Sequence, residues 1–518
     1  MYSHVADLLT LAGRKPLDNT HFHLFPREWS SITTPMCADT WMSHLQDHPD
    51  RAYCGFLLDG LRAGFRIGFR YGGAVCKSAV SNMPTAREHP EVVSEFLETE
   101  CRAGRLIAPI EGKCLSLVQI NKLGLVPKNH QPGRWRLIVD LSSPKGASVN
   151  DGIEREVCSV SYTSVDAACE RVVAVGRGCQ LAKFDVEGAF RTVPVHPDDR
   201  WLLGMKWEGK VYVDKVLSFG LRSAPKLYNA VADALLWIIV HHDKVNGLHY
   251  LDDFLLFGEP DSPQCGLSLQ RALARCRVLG VPVAPRKTEG PTTKLVFLGI
   301  EIDTVAMTLR LPVVKLERLQ REIQKWSTLK FGTKRDLLSL IGQLQHACCV
   351  IKPGRSFLRR MIELARSVRE LHHRVRLNAG FRSDLKWWAC FLPIWNGSCP
   401  VSSILLSKPS VELTSDASGS WDCGAYTSQG HWFQLPLPES WSGIHITIKE
   451  LLPIVLGVAV WGGMWQGMSV SCRCDNAAVV AIVNSGRSKV DRAMHLMRCL
   501  SFFLARWGVS LKCRHISG

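Results

Sequence analysis

Two adjacent aspartates sit inside an apolar run, Tyr250-Leu251-Asp252-Asp253-Phe254-Leu255-Leu256, and no other feature of the chain narrows its fold as much. Burying two like charges side by side is costly unless something positive neutralises them. Residues 248–256 are apolar on both sides of the pair, which predicts a hairpin around it. A third carboxylate, Asp185, ends a second apolar strand predicted over residues 180–186, and it meets the same difficulty. Carboxylates from neighbouring strand ends can hold two divalent cations about 4 Å apart, one activating a hydroxyl and the other steadying a leaving pyrophosphate. A lone Asp-Asp is ordinarily a turn or a helix cap. That reading leaves the aromatic flanks, the apolar setting and the matching Asp185 without a reason.

The rest of the composition bounds the setting. A chain of 518 residues accommodates two to four domains, each with its own core. Its 46% hydrophobic and 21% charged residues are those of a soluble globular protein, and its formal charge of +16 favours a polyanionic partner, nucleic acid ahead of an anionic membrane. Nineteen cysteines, odd in number, scattered and without a CxxC pair, read as reduced thiols of an intracellular protein. The N-terminus lacks the plan of a secretory signal. Residues 451–470 hold no charged residue and are as long as a bilayer span. Pro453, four glycines and Gln466 within them, and Lys449-Glu450 beside them, predict instead a buried helix running into a strand. The chain is expected to be soluble, with no membrane partner.

Along the chain, residues 53–69 are amphipathic, and Asn82-Met83-Pro84-Thr85 breaks the pattern. A surface helix is predicted over 88–105 with Val92, Phe96 and Leu97 inward. Residues 123–126 and 135–141 read as strands around the turn Asn129-His130-Gln131-Pro132-Gly133. Pro225 suits the first turn of a helix carrying Leu227, Val231, Leu235 and Ile238. Residues 295–302 read as a strand, and Leu316, Leu319, Ile323 and Trp326 as one helical stripe. Thr333 with Asp336 resembles a capping box that opens the next helix. Residues 352–386 hold ten Lys/Arg against three Asp/Glu, either a solvated face or a nucleic-acid track. Residues 402–410 read as a linker, and strand-like residues 411–415 begin a new unit.

Taken in order, these blocks resemble the motifs of reverse transcriptases. Val126-Pro127-Lys128 with Trp135-Arg136-Leu137-Ile138-Val139-Asp140 is similar to the fingers segment. Phe184-Asp185 with Ala189-Phe190, then Phe219-Gly220-Leu221 with Ala224-Pro225, then the Tyr-Leu-Asp-Asp-Phe block, are similar to the successive palm motifs. Pro285-Arg286-Lys287 and Phe297-Leu298-Gly299 resemble the two motifs that follow. The resemblance covers about residues 88–350. It implies a right-hand polymerase whose Asp185, Asp252 and Asp253 bind two Mg²⁺ (or Mn²⁺) ions and catalyse. Lys128 and Arg136 would clasp the triphosphate, a point charge and a bidentate fork suited to that task. Phe190 would exclude a ribose 2′-hydroxyl, with core packing as its alternative role. Gly220 and Pro225 would shape the nucleotide pocket, Lys287 would protonate pyrophosphate, and Phe297, Leu298 and Gly299 would grip the primer end.

A second acidic set, Asp416, Glu450 and Asp475, resembles the carboxylates of the RNase H fold, which gather two Mg²⁺ ions to hydrolyse RNA paired with DNA. Here Asp416 follows a strand, Glu450 opens the long apolar helix, and Asp475-Asn476 joins a strand to a helix. Any one of them alone would be a cap or a surface charge. The family closes with a histidine-glycine stretch and then an alanine-aspartate. Arg514-His515-Ile516-Ser517-Gly518 resembles the first and ends the sequence, so the domain is expected to be C-terminally incomplete. The expected fold is thus α+β and multidomain: an extension over 1–87, fingers and palm over 88–305, thumb and connection over 306–400, and an RNase H-like α/β domain over 401–518. Implied partners are an RNA template, a DNA primer, RNA–DNA hybrid and dNTPs, with other proteins of the same element. Residues 48–70 and 83–108 resemble the region preceding the polymerase in DIRS-like retrotransposons, with gypsy-like elements next. Phe219, where retroviral enzymes carry glutamine, sides with the gypsy-like and DIRS-like elements alike. The alternative from another class is a decayed or domesticated copy that binds nucleic acid without catalysis; the presence of all three polymerase carboxylates argues against it.

Overall fold

The acidic hairpin forms because its flanks cannot stay in water. In the computed structural model, which describes residues 5–13, 27–70, 81–110, 117–127, 133–395, 397–401 and 410–517, strand β1 spans Gln180–Asp185. Helix α1 spans Ala224–Asp243, and strands β2 and β3 span Asn246–Tyr250 and Asp253–Gly258. Phe254, Leu255, Leu256 and Phe257 are all buried, as in a strand covered on both faces. With β4, Glu289–Thr292, these strands form a sheet in the order β2-β3-β1-β4. The four predicted apolar positions of α1, Leu227, Val231, Leu235 and Ile238, are buried, and Pro225 lies in its first turn.

This sheet belongs to the first of two compact units, Met1–Ser164 with Leu181–Gly258 and Ser262–Pro291. The unit also holds a five-stranded sheet in the order Leu106–Ile110, Lys210–Asp214, Gly204–Trp207, Ile120–Pro127, Trp135–Asp140. Residues before position 88 are built into the same core. The Trp41 indole donates to the Leu279 carbonyl at 2.9 Å, and Arg66 grips Asp199 through two 2.9 Å hydrogen bonds. The surface helix runs over Pro90–Arg102, and its fully buried positions are Val93, Leu97 and Glu100, with Val92 and Phe96 half-buried. The stripe is rotated from the expected one because buried Arg191 and half-buried Arg105 claim Glu100.

The second unit comprises Val165–Gln180, Glu259–Asp261 and Thr292–Gly518. Residues 295–302 are here a hairpin, and the single-strand expectation is corrected: β5, Lys294–Phe297, pairs antiparallel with β6, Ile300–Asp303. Leu298 (φ 48°) and Gly299 (φ 74°) turn between them, both left-handed as a tight two-residue hairpin turn requires. Further on, Leu319, Ile323 and Trp326 bury one face of the helix Val313–Thr328. Thr333 caps the helix Lys334–Ala347 by accepting from the Asp336 amide at 3.2 Å. In the basic stretch Arg360 pairs with buried Asp384, whereas Arg366, Arg369, Arg374, Arg376, Arg382 and Lys386 are exposed.

The chain then builds a five-stranded sheet from β7 (Val411–Ala417), β8 (Asp422–Thr427), β9 (Trp432–Pro436), β10 (Ser469–Cys474) and β11 (Ser510–His515). The order is β9-β8-β7-β10-β11, antiparallel through β7 and parallel from there. Helices α2 (Ile446–Trp461), α3 (Ala477–Ser485) and α4 (Asp491–Trp507) supply much of its core, including Leu451, Ile454, Val479 and Leu500. The uncharged run at 451–470 is therefore helix followed by strand, and among the described residues no helix is long and apolar enough to cross a membrane. The seventeen described cysteines are free thiols, most of them buried.

Candidate active sites

Strand pairing delivers the first acidic set to one place. Tyr250 and Asp253 are register partners, so Leu251 and Asp252 form the two-residue turn, with Leu251 left-handed at φ 51°. The amide after Asp185, that of Val186, donates to the Asp252 carbonyl at 3.0 Å and locks the end of β1 to this turn. Phe184 stacks on Phe254 at 4.8 Å just behind the carboxylates and gives them a low-dielectric floor. Asp185 is buried, while Asp252 and Asp253 are half-buried.

The electrostatics follow from that packing. Burial first, then the charges of Asp252 and Asp185, push the Asp253 carboxyl up to about 6. Asp252 is raised by burial and by Asp185, an effect that Lys287 and Arg136 partly offset. The Lys287 ammonium lies 2.7 Å from Asp185 Oδ2. Burial alone would lower the Lys287 ammonium, but the hydrogen bond and charge of Asp185 hold it above its ordinary value. Three clustered carboxylates, of which Asp252 and Asp253 are raised and offered to solvent, are a donor set suited to hard divalent cations.

Beside the carboxylates runs an aromatic path. The Arg136 guanidinium lies 5.6 Å from the Phe219 ring centroid. Phe190 packs against Phe219 at 5.5 Å and against Tyr228 at 5.7 Å. Burial, then the charges of Asp252 and Asp185, raise the Tyr228 phenol well above its ordinary range. Gly220 must be glycine: its φ is +100°, and a Cβ would stand 2.6 Å from the Val139 carbonyl oxygen. Pro225 is half-buried in the first turn of α1. Lys128 lies outside the described residues. Phe297, Leu298 and Gly299 stand in the second unit, where His346 bonds the Leu298 carbonyl at 3.0 Å and Lys315 donates to that of Gly299 at 3.2 Å.

A network that sequence reasoning missed holds the turn Ala189–Thr192, and Phe190 with it. Buried Arg191 reaches Glu100 at 2.6 Å and Asp214 at 2.7 Å, and Arg105 reaches Glu100 at 2.6 Å. Burial would raise the Glu100 carboxyl, yet the two arginines hold it below the usual range. Glu100 had looked like one more charge on a surface helix. Its partners lie too far along the chain for periodicity to find them.

In the second acidic set, Glu450 is buried in the second turn of α2, which begins at Ile446. The expectation that Glu450 opens the helix is corrected, because the His445 side chain caps it one turn earlier, accepting from the Thr447 amide. Asn476 caps α3, accepting from the Ala478 and Val479 amides at 2.9 and 3.2 Å, and so fixes Asp475 at the strand end. Glu450, Cys474 and Asp475 place one ligand atom each within 4.8 Å of one another. Asp416 lies exposed on β7, outside that trio. Glu450 is raised mainly by burial, then by the charges of Asp475 and Asp416.

Residues 126–302 match the family model described as reverse transcriptase (RNA-dependent DNA polymerase). The genome polyprotein of Petunia vein clearing virus is 28% identical over 121 residues, 23% of this chain and 5% of the polyprotein. The Gag-Pro-Pol polyprotein of Mason-Pfizer monkey virus is 24% identical over 200 residues, 36% of this chain and 10% of the polyprotein. The matched segments are thus a small part of these relatives. Among solved structures, the foamy viral protease-reverse transcriptase dRH in complex with double-stranded DNA aligns with 97% of this chain and 86% of its own, at 15% identity and TM-score 0.51. The foamy viral protease-reverse transcriptase with double-stranded DNA aligns with 93% of this chain and 97% of its own, at 14% identity and TM-score 0.51. The fold is α+β and multidomain, a polymerase core followed by an RNase H-like α/β domain.

Proposed function

With residues 126–302 a reverse transcriptase domain, we propose that the chain is the RNA-directed DNA polymerase of a retrotransposon, extending a primer on an RNA or DNA template from dNTPs. The observation that carries this reading is the convergence of Asp185, Asp252 and Asp253 from two adjacent strand ends, with Asp253 pushed up to about 6. These carboxylates would hold two Mg²⁺ (or Mn²⁺) ions, which supply Lewis acidity toward the primer hydroxyl and the departing pyrophosphate. Arg136, aligned on Phe219, would fork onto the triphosphate. Phe190, held by the Arg191 network, would press against the 2′ position of the sugar. Lys287, 2.7 Å from Asp185 Oδ2, would hand a proton to pyrophosphate or neutralise Asp185 between turnovers. The exposed arginines of residues 366–386 would track a phosphate backbone, and Leu298–Gly299 would seat the primer end.

Asp416, Glu450 and Asp475 would serve as a second site, also for two such ions, cleaving the RNA of an RNA–DNA hybrid. Within retroelements, residues 48–70 and 83–108 favour a DIRS-like origin over a gypsy-like one, and Phe219 favours either of these over a retroviral one. Extension of a DNA primer on an RNA template, with Asp252→Asn as control, tests the proposal. Deoxynucleotide incorporation by the parent and none by the control is the expected outcome; equal incorporation by both would refute it.

A further inference from the structure

The Cys474 thiol is fully buried yet donates to Glu450 Oε2 at 3.7 Å, and Asp475 follows it directly. A Mg²⁺ site does not call for sulfur there. Magnesium takes oxygen ligands, whereas thiolate is the donor that selects zinc and other soft cations. From the ordinary bond lengths, a tetrahedral zinc ion sets a sulfur and an oxygen ligand about 3.5 Å apart. The observed separation of 3.7 Å is already close to that edge. The third donor, the exposed Asp475 carboxylate, lies within 4.8 Å of both others and opens the site to solvent. Three protein ligands with a fourth, open position is the arrangement of an accessible zinc site.

We propose that Glu450, Cys474 and Asp475 form a mixed thiolate–carboxylate site for a thiophilic divalent cation, Zn²⁺ or Cd²⁺, one that competes with the hard cation of the RNase H-like site. It uses that site's location, but its donor set stands without any nuclease activity. On binding, the Cys474 S–H bond breaks, sulfur keeps the electron pair and bonds the metal, and the proton leaves to solvent. Glu450 exchanges its weak thiol hydrogen bond for a metal bond. Two carboxylates and one thiolate carry three negative charges, so the occupied site keeps a net negative charge and water completes it.

The test is titration of the reduced 518-residue chain with Cd²⁺, following the sulfur-to-metal charge-transfer absorption in the ultraviolet, and with Zn²⁺ against a chelating dye. Cys474→Ser and Glu450→Gln should each weaken Zn²⁺ binding at this site at least tenfold and remove the same increment of Cd²⁺ absorption. Ser and Gln are near-isosteric, and circular dichroism of both variants checks the fold. Cys472 and Cys513 are register partners on β10 and β11 and offer a rival thiol pair. Cys513→Ser should leave the increment intact. Loss of the signal in Cys513→Ser but not in Glu450→Gln would overturn the proposal, as would parent-like binding by Cys474→Ser. A chain that binds Zn²⁺ in the expected way but never cleaves a hybrid upholds this inference and removes the nuclease reading. Cleavage without Cys474-dependent binding does the reverse.

Discussion

Replacing Asp253 by asparagine should make the metal-free protein more stable while ending its catalysis. The Asp253 carboxyl is pushed from 3.8 to about 6 by burial, Asp252 and Asp185. Each pKa unit is worth about 1.4 kcal/mol, so a shift of about 2 units costs the ionised native state at most about 3 kcal/mol. Asp253 is half-buried, and solvent screening reduces that figure to about 1–2 kcal/mol. A carboxyl whose pKa is higher folded than unfolded stabilises the fold fully only below about pH 4, and that contribution is gone once the pH passes 6. Asparagine carries no charge, and its amide can still donate to Asp185. Urea unfolding in EDTA near pH 7.5 should show Asp253→Asn more stable than the parent by about 1–2 kcal/mol in the transition that Mg²⁺ shifts. The gain should fade between pH 6 and pH 4. Added Mg²⁺ should narrow it, because the ion stabilises only a chain able to bind it. A variant no more stable than the parent at pH 7.5, or a gain unchanged down to pH 4, would refute the reasoning.

Phe190→Val should admit ribonucleotides at least tenfold better with only a modest loss of deoxynucleotide use, measured by single-nucleotide incorporation; unchanged discrimination would return Phe190 to a packing role. Lys287→Ala removes a positive charge that holds Asp252 and Asp253 down, so the acid limb of the extension rate should move to higher pH. A limb that stays in place would mean Lys287 does not act on the cluster. Gly220→Ala forces a side chain to φ +100° against the Val139 carbonyl and should cost about 2–4 kcal/mol in thermal or urea unfolding; an unaltered midpoint would contradict the close approach.

What the sequence revealed and what it hid divide along physical lines. Asp185, Asp252 and Asp253 were legible because each sits at the end of an apolar strand, and strand ends come together when a sheet forms. The helix carrying Leu227, Val231, Leu235 and Ile238 was legible from its period alone. The hairpin over residues 294–303 was not, since Leu298 adopts a left-handed backbone that its identity does not announce. Only Gly299 hinted at the turn. Glu100, Arg191 and Asp214 were invisible because a buried ion network depends on contacts distant in sequence. Cys474 looked like any other core thiol until Glu450 was seen beside it.

The central claim is that three carboxylates from two strand ends form one metal-dependent polymerase centre, distinct from the basic surface that holds nucleic acid. Asp185→Ala and Asp252→Ala should each reduce single-turnover nucleotide addition on an RNA template to below a hundredth of the parent rate. Primer–template affinity should stay within about threefold, because phosphate contacts by lysine and arginine supply most of it. Extension by either variant at a tenth of the parent rate or more would contradict the account.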